Sequence, residues 1–371
     1  MVQVPFNNLF LQIEDEFSEY MSDIEQCIRD SAFIGGKHVL EFEQSFADTI
    51  GSAHAVSCGN GTDSLYLAMK ALDLKPGDEV IVPAMSWIST SETVTAAGGV
   101  VIFCDIDSNS YTIDVHKIEN LITDRTVGII PVHLYGHPAE MGMVMDIAKK
   151  HSLWIVEDCA QAHLALYRDQ PVGSLGNFGS FSFFPGKNLG AFGDAGAIVT
   201  DDICLRDNFT RLARHGGLFK GEHLIEGHNS RLDTLQAIVL KRKLTSLADV
   251  TKERRRIASI YVDKLKDLEG LVLPTETEEV EHAWHLFVVR VPDRRGFSEF
   301  LKSHKISTGV HYPVALPFLP AYSYKNHTPE HFPVANKIQD QIVSLPLFPS
   351  MTGEQIDHLV KCIREYFIAQ Q

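Results

Sequence analysis

Between residues 53 and 200 the chain alternates short β-branched runs with longer amphipathic stretches, and this alternation limits its fold more than any other feature. Strand-length runs lie at 54–57, 79–83, 100–104, 127–132, 153–157, 178–183 and 197–200. Helical periodicity separates them, as at 64–72 and 141–150; in the latter, Met141, Val144, Met145 and Ala148 share one face. Strands joined through helices pair in parallel and must be covered on both sides. The expected fold class is therefore α/β, with a large, mostly parallel sheet between helices. After a helical stretch that starts near Thr234 the pattern changes. Residues 283–291 alternate like a strand, 296–304 have helical periodicity, 309–322 are proline-rich, and a last helix is expected over 353–369. These predict a smaller C-terminal α+β domain, with the large domain and its N-terminal helical segment at 1–245 and the small one at 246–371. Two domains suit a chain of 371 residues. The run Lys252-Glu253-Arg254-Arg255-Arg256 is expected to be a solvated helix face.

Charge narrows the partners. The chain has 33 basic and 48 acidic residues, a net charge of −15, which repels nucleic-acid backbones and anionic membrane surfaces. Neither is expected as a partner. The six cysteines are scattered with no C-x-x-C pair, so no metal site is expected and reduced thiols in the cytoplasm fit best. No signal peptide is expected in the acidic first twenty residues, and no apolar run is long enough to cross a bilayer.

Three segments can carry chemistry. Cys58-Gly59-Asn60-Gly61-Thr62-Asp63-Ser64 follows a strand and opens a helix, where free amides and the helix dipole suit a phosphate. It also imitates a G-x-G-x-x-G dinucleotide turn, with the third glycine missing. Asp158 ends the strand 153–157, at the carboxyl edge where ligands of open α/β sheets bind; an ordinary helix cap is the alternative. Lys187 lies in Pro185-Gly186-Lys187-Asn188-Leu189-Gly190, just past a strand and among small residues that leave room for a flat cofactor. A phosphate cup, an acid for a pyridinium nitrogen and a lysine for an aldehyde are together what pyridoxal phosphate needs. Gly61 and Thr62, Asp158 and Lys187 supply them in that order.

The chain resembles the DegT/DnrJ/EryC1/StrS sugar-nucleotide aminotransferases over nearly its whole length. The resemblance is carried by Phe33-Ile34-Gly35-Gly36, Asn60-Gly61-Thr62-Asp63, Val132-His133-Leu134-Tyr135-Gly136, Glu157-Asp158-Cys159-Ala160-Gln161-Ala162-His163 and Ser180-Phe181-Ser182-Phe183-Phe184-Pro185-Gly186-Lys187. It continues through Gly193-Asp194-Ala195-Gly196, Asn229-Ser230-Arg231-Leu232-Asp233 and His311-Tyr312-Pro313. It implies the type I fold of pyridoxal-phosphate aminotransferases, with the cofactor passing through pyridoxamine 5'-phosphate during turnover. It further implies that Lys187 tethers the cofactor and then moves protons, that Asp158 pairs with the pyridine nitrogen, and that Gln161 binds the ring oxygen. Gly61, Thr62 and Ser182 match phosphate contacts, and Trp87 matches an aromatic that stacks on the ring. Asn229 matches a residue that reaches the neighbouring subunit's phosphate, which implies a homodimer with shared sites. His311 and Tyr312 match a loop lining the sugar-nucleotide pocket. Lys220 and Arg231, with His311, are candidates to face the substrate diphosphate.

Leu164 and Ala195 stand where the family usually has glycine. The lysine argues against the histidine-bearing dehydratases of the family. Asp194 and the stretch around Lys187 look most like members that aminate C3 of a dTDP-linked 3-keto-6-deoxyhexose, with glutamate as donor, for a surface glycan such as O-antigen or for a secondary metabolite. UDP-linked 3-keto and dTDP-linked 4-keto sugars are the nearest alternatives. A nicotinamide-dependent oxidoreductase and a non-catalytic regulator are remote ones.

Overall fold

A computed structural model describes residues 2–369. The strands are β1 (His54–Cys58), β2 (Glu79–Pro83), β3 (Val100–Cys104), β4 (Thr126–Ile129), β5 (Trp154–Asp158), β6 (Leu166–Tyr167), β7 (Gln170–Pro171), β8 (Phe178–Ser182), β9 (Gly196–Thr200), β10 (Val280–Glu281), β11 (Phe287–Arg290) and β12 (Ile342–Leu345). The helices are α1 (Phe17–Arg29), α2 (Lys37–Ile50), α3 (Gly61–Ala71), α4 (Ser89–Ala96), α5 (Val115–Ile118), α6 (Met141–His151), α7 (Ile203–Ala213), α8 (Thr234–Leu265), α9 (Arg294–Ser303), α10 (Pro333–Ile338) and α11 (Gly353–Ile368).

The main sheet has the order β1-β9-β8-β5-β4-β2-β3. From β8 to β3 every pair is parallel, and β9 runs antiparallel to both of its neighbours. The α/β fold expected from the alternation is thus present. Strand alternation sends neighbouring side chains to opposite faces. Val80 and Val82 enter one core cluster and Ile81 the other; Ile198 likewise separates from Ala197 and Val199. Helices bury both faces, so β2 is apolar along its length apart from Glu79. On one face Phe42, Phe46, Phe181 and Phe183 pack through edge-on contacts with centroids 5.0–5.4 Å apart.

A second core gathers around the antiparallel pair β11–β12, with the end of α8, α9 and α11. Helix α8 runs unbroken past residue 245. Its Ala237, Leu240 and Leu247 join the large-sheet core, whereas Ile257, Ala258, Tyr261 and Leu265 join the smaller one. Arg254 corrects the reading of the charge run: it is 2% exposed, and one of its Nη atoms donates to the carbonyls of Trp284, His285 and Leu347. Helical periodicity explains this, because Arg254 shares a face with Ile257, Ala258 and Tyr261 while Lys252 and Arg256 point away to solvent. No described helix is long and apolar enough to cross a membrane.

Candidate active site

The carboxyl ends of β1, β5 and β8 converge with the start of α3. Asn60 caps α3 by accepting the Asp63 amide at 2.8 Å, leaving the first amides of the helix without intrahelical partners. Gly61 faces Ser182: a Cβ added at Gly61 would lie 2.6 Å from the Ser182 Cβ. Gly196 closes the other side, since a Cβ there would come within 2.4 Å of the Asn60 carbonyl. The Thr62 hydroxyl meets Ser89 Oγ at 2.7 Å. Glycines thus shape a cradle of amides and hydroxyls that suits a phosphate.

Asp158 and Ser180 are register partners on adjacent parallel strands, which places the acid beside the strand that leads into the lysine loop. The Asp158 carboxylate is 5% exposed and accepts from Thr90 Oγ1 at 2.8 Å and the Ala160 amide at 3.2 Å. Burial pushes its pKa up, opposed by those two hydrogen bonds and by the charges of Lys187 and His133. No helix begins after it, so the capping alternative does not hold. A buried acid in this setting is stabilised as an anion by a nearby cation such as a protonated ring nitrogen. Lys187 is partly covered, and burial lowers its ammonium to about 8 although the charge of Asp158 raises it. Gln161 accepts the Tyr135 amide at 2.6 Å and donates to the Tyr312 hydroxyl at 3.0 Å. Trp87 is 57% exposed, with its ring 5.4 Å from that of Tyr312. An amide and hydroxyl cradle, a buried acid, a lysine with lowered pKa and an open indole face are a donor set that fits pyridoxal phosphate.

His311 enters the same neighbourhood. Its carbonyl accepts the Tyr135 hydroxyl and its Nδ1 lies 2.8 Å from Ser344 Oγ. Burial lowers its pKa to about 4, with a further push from the charge of Lys187, so the ring is neutral near pH 7. The structure does not bring Lys220, Asn229 or Arg231 into this cluster. All three are exposed, and Asn229 pairs with Arg214 in an isolated bridge. Beside them Ser230 accepts from the Gly59 amide at 3.0 Å and donates to Asp63 at 2.6 Å, which ties this segment to the phosphate cradle from outside.

Sequence reasoning missed Thr90 and Ser89, and it quoted Tyr135 and His163 in motifs without giving either a role. The first two had a signal in the hydroxyl-rich run Ser89-Thr90-Ser91 that follows Trp87. His163 is fully buried against Phe181 and Phe183, and among the described residues neither ring nitrogen has a hydrogen-bond partner; burial, then the charge of Lys187, lowers its pKa to about 3. Leu164 adopts φ +59°, a backbone region that favours glycine, which accounts for the usual residue at that place.

Comparison with known proteins points the same way as the geometry. The model of the DegT/DnrJ/EryC1/StrS aminotransferase family matches residues 14–364. A dTDP-3-amino-3,6-dideoxy-alpha-D-galactopyranose transaminase of Aneurinibacillus thermoaerophilus is 41% identical, over 96% of this chain and 99% of its own. A UDP-N-acetyl-3-dehydro-alpha-D-glucosamine 3-aminotransferase of Acidithiobacillus ferrooxidans is 40% identical over 93% of each chain. Among solved structures, S. venezuelae DesV in complex with a ketimine intermediate superposes with a TM-score of 0.96, at 37% identity over 99% of both chains.

Proposed function

The chain belongs to the DegT/DnrJ/EryC1/StrS aminotransferase family, and from that premise we propose that it aminates the 3-keto group of a dTDP-linked 3-keto-6-deoxyhexose with glutamate as donor. It is a pyridoxal-phosphate-dependent sugar-nucleotide aminotransferase, with pyridoxamine 5'-phosphate as the other cofactor form. The nicotinamide reading falls with that assignment. Amino transfer is supported by Asp158 and Lys187 lying on and just beyond adjacent strands of one sheet, beside the Gly61–Ser182 cradle, and the 3-keto acceptor by the names of the relatives. When bound, the cofactor supplies an aldehyde that carries the amino group and a ring that takes up electrons released at the substrate carbon.

The chain's own groups do the rest. Gly61, Thr62 and Ser182 bind the phosphate, Asp158 holds the ring nitrogen's proton, Gln161 binds the ring oxygen and Trp87 covers one ring face. Lys187 Nζ removes the proton from the donor's α-carbon and delivers one to the sugar carbon in the second half. A lysine titrating near 8 has a useful free-amine fraction at neutral pH, whereas one near its ordinary value has almost none. His311 and Tyr312 face the sugar nucleotide; Lys220 and Arg231, which are exposed and lie outside this cluster of their own chain, are the candidates to counter its diphosphate. Asn229 completes the phosphate site of a second copy, so the working unit is a homodimer.

The dTDP reading is supported by the name of the Aneurinibacillus relative and by Asp194, and the name of the Acidithiobacillus relative supports a UDP-linked 3-keto substrate. Both names concern C3. We place the enzyme in the cytoplasm, producing an amino sugar for a surface glycan or secondary metabolite. Coupled turnover on a panel of dTDP- and UDP-linked 3-keto and 4-keto sugars tests the reading. The highest kcat/KM is expected for the dTDP-linked 3-keto sugar, and preference for a 4-keto sugar overturns the C3 assignment.

A further inference from the structure

Val4, near the start of the chain, joins the second core around β11–β12, whereas Phe6 packs against the core of the main sheet. Val4 pairs in parallel with Ile306: its amide donates to the Lys305 carbonyl at 3.0 Å and its carbonyl accepts the Ser307 amide at 2.9 Å. Val4 itself is fully buried in the core that contains Phe287 and Ile306. This single bridge anchors the segment that carries Phe6 to the active site. The Phe6 ring stacks on the His311 imidazole, with centroids 5.7 Å apart and planes 23° from parallel.

Gly309 makes the approach possible. A Cβ there would stand 2.8 Å from His311 Cε1 and 3.2 Å from Phe6 Cζ, so any side chain would wedge the two rings apart. The imidazole is then held by three elements: Ser344 at Nδ1, Tyr135 at the backbone carbonyl and Phe6 on the ring. Ser344 is fully buried on β12, and Gly309 is bridged to it by backbone hydrogen bonds of 2.8 and 3.0 Å.

We infer that Phe6 is a positioning residue for the sugar-nucleotide pocket: the N-terminal segment, anchored by its bridge at Val4, brings its ring onto His311 and fixes the plane in which the imidazole meets the substrate. The inference rests on the reading of His311 given under Proposed function. It assigns the N-terminal segment a role in acceptor recognition and none in the chemistry of the amino donor. The ring acts through His311, because the cradle and the lysine loop are built from other elements.

The test uses full-length holoenzyme and the sugar nucleotide that gives the highest kcat/KM in the panel. For Phe6→Ala, KM for the sugar should rise about five- to tenfold, the size of one lost ring contact. The rate of the glutamate half-reaction, followed by cofactor absorbance, should stay within about twofold. Phe6→Tyr should restore KM, and in a His311→Ala background Phe6→Ala should have little further effect. If Phe6→Ala fails to fold, Phe6→Leu keeps the apolar volume, removes the ring and is judged by the same readouts. An unchanged sugar KM, an equal loss in both half-reactions, or additivity with His311→Ala overturns the proposal. If His311→Ala itself leaves the sugar KM unchanged, the reading of His311 falls and takes this inference with it; if only Phe6→Ala is silent, the reading of His311 stands.

Discussion

At the floor of the site, Asp158, Thr90 and Gln161 are buried and their hydrogen bonds close within one chain; outside it, at the rim proposed for the phosphate groups, Lys220, Asn229 and Arg231 are exposed and meet none of them. The difference lies in what each region must do. Proton transfer needs groups held within fractions of an ångström and partly stripped of water, and strand ends in a packed sheet provide both. Recognition of a flexible diphosphate sugar tolerates mobile cations, and a neighbouring subunit can supply some of them. Changes at the floor should therefore destroy chemistry, while changes at Lys220 and Arg231 should move only acceptor affinity.

The largest expected break is Lys187→Ala, which should cut turnover by about a thousandfold or more while the protein stays folded, checked by steady-state assay and melting. Asp158→Asn should follow at about a hundredfold, because the neutral amide no longer holds a proton on the ring nitrogen; rapid kinetics of the glutamate half-reaction read this directly. Gly61→Ala tests the cradle alone. Its new methyl collides with Ser182, so cofactor affinity measured by titration should fall about tenfold or more.

The pH dependence sharpens the contrast. Burial stabilises the neutral amine of Lys187, so in the cofactor-free protein the base form grows as pH rises through about 8, and the rate at which it captures pyridoxal phosphate, followed by absorbance, should rise over that range. Asp158 raises this pKa, so Asp158→Asn should shift the midpoint to lower pH. The smallest effects belong to the rim: Lys220→Ala and Arg231→Ala should each raise the sugar KM about fivefold, more at low salt, without changing the glutamate half-reaction. Equal loss of both half-reactions in these rim variants would erase the distinction.

Asp158 and Lys187 were legible because each is announced by its local place in the sequence. Asp158 ends a strand and Lys187 follows one, and strand ends of α/β sheets are where ligands bind. Thr90 and Tyr135 were not legible, since their roles depend on contacts across the sheet with Asp158 and Gln161 that no spacing announces. The start of the chain shows the same limit: Val4 and Phe6 act on residues 306 and 311, at the far end of the sequence. Arg254 was misread because a charged run was treated as one surface, although a helix turns each successive residue to a new face.

The most direct test follows cofactor absorbance in the purified holoenzyme through one cycle, first with glutamate and then with the dTDP-linked 3-keto sugar. The account predicts that glutamate abolishes the absorbance of the lysine-bound form and yields 2-oxoglutarate, that the sugar restores it and yields the 3-amino product, and that Lys187→Ala does neither at a comparable rate. A wild-type spectrum unmoved by glutamate, or a full cycle retained by Lys187→Ala, would contradict it.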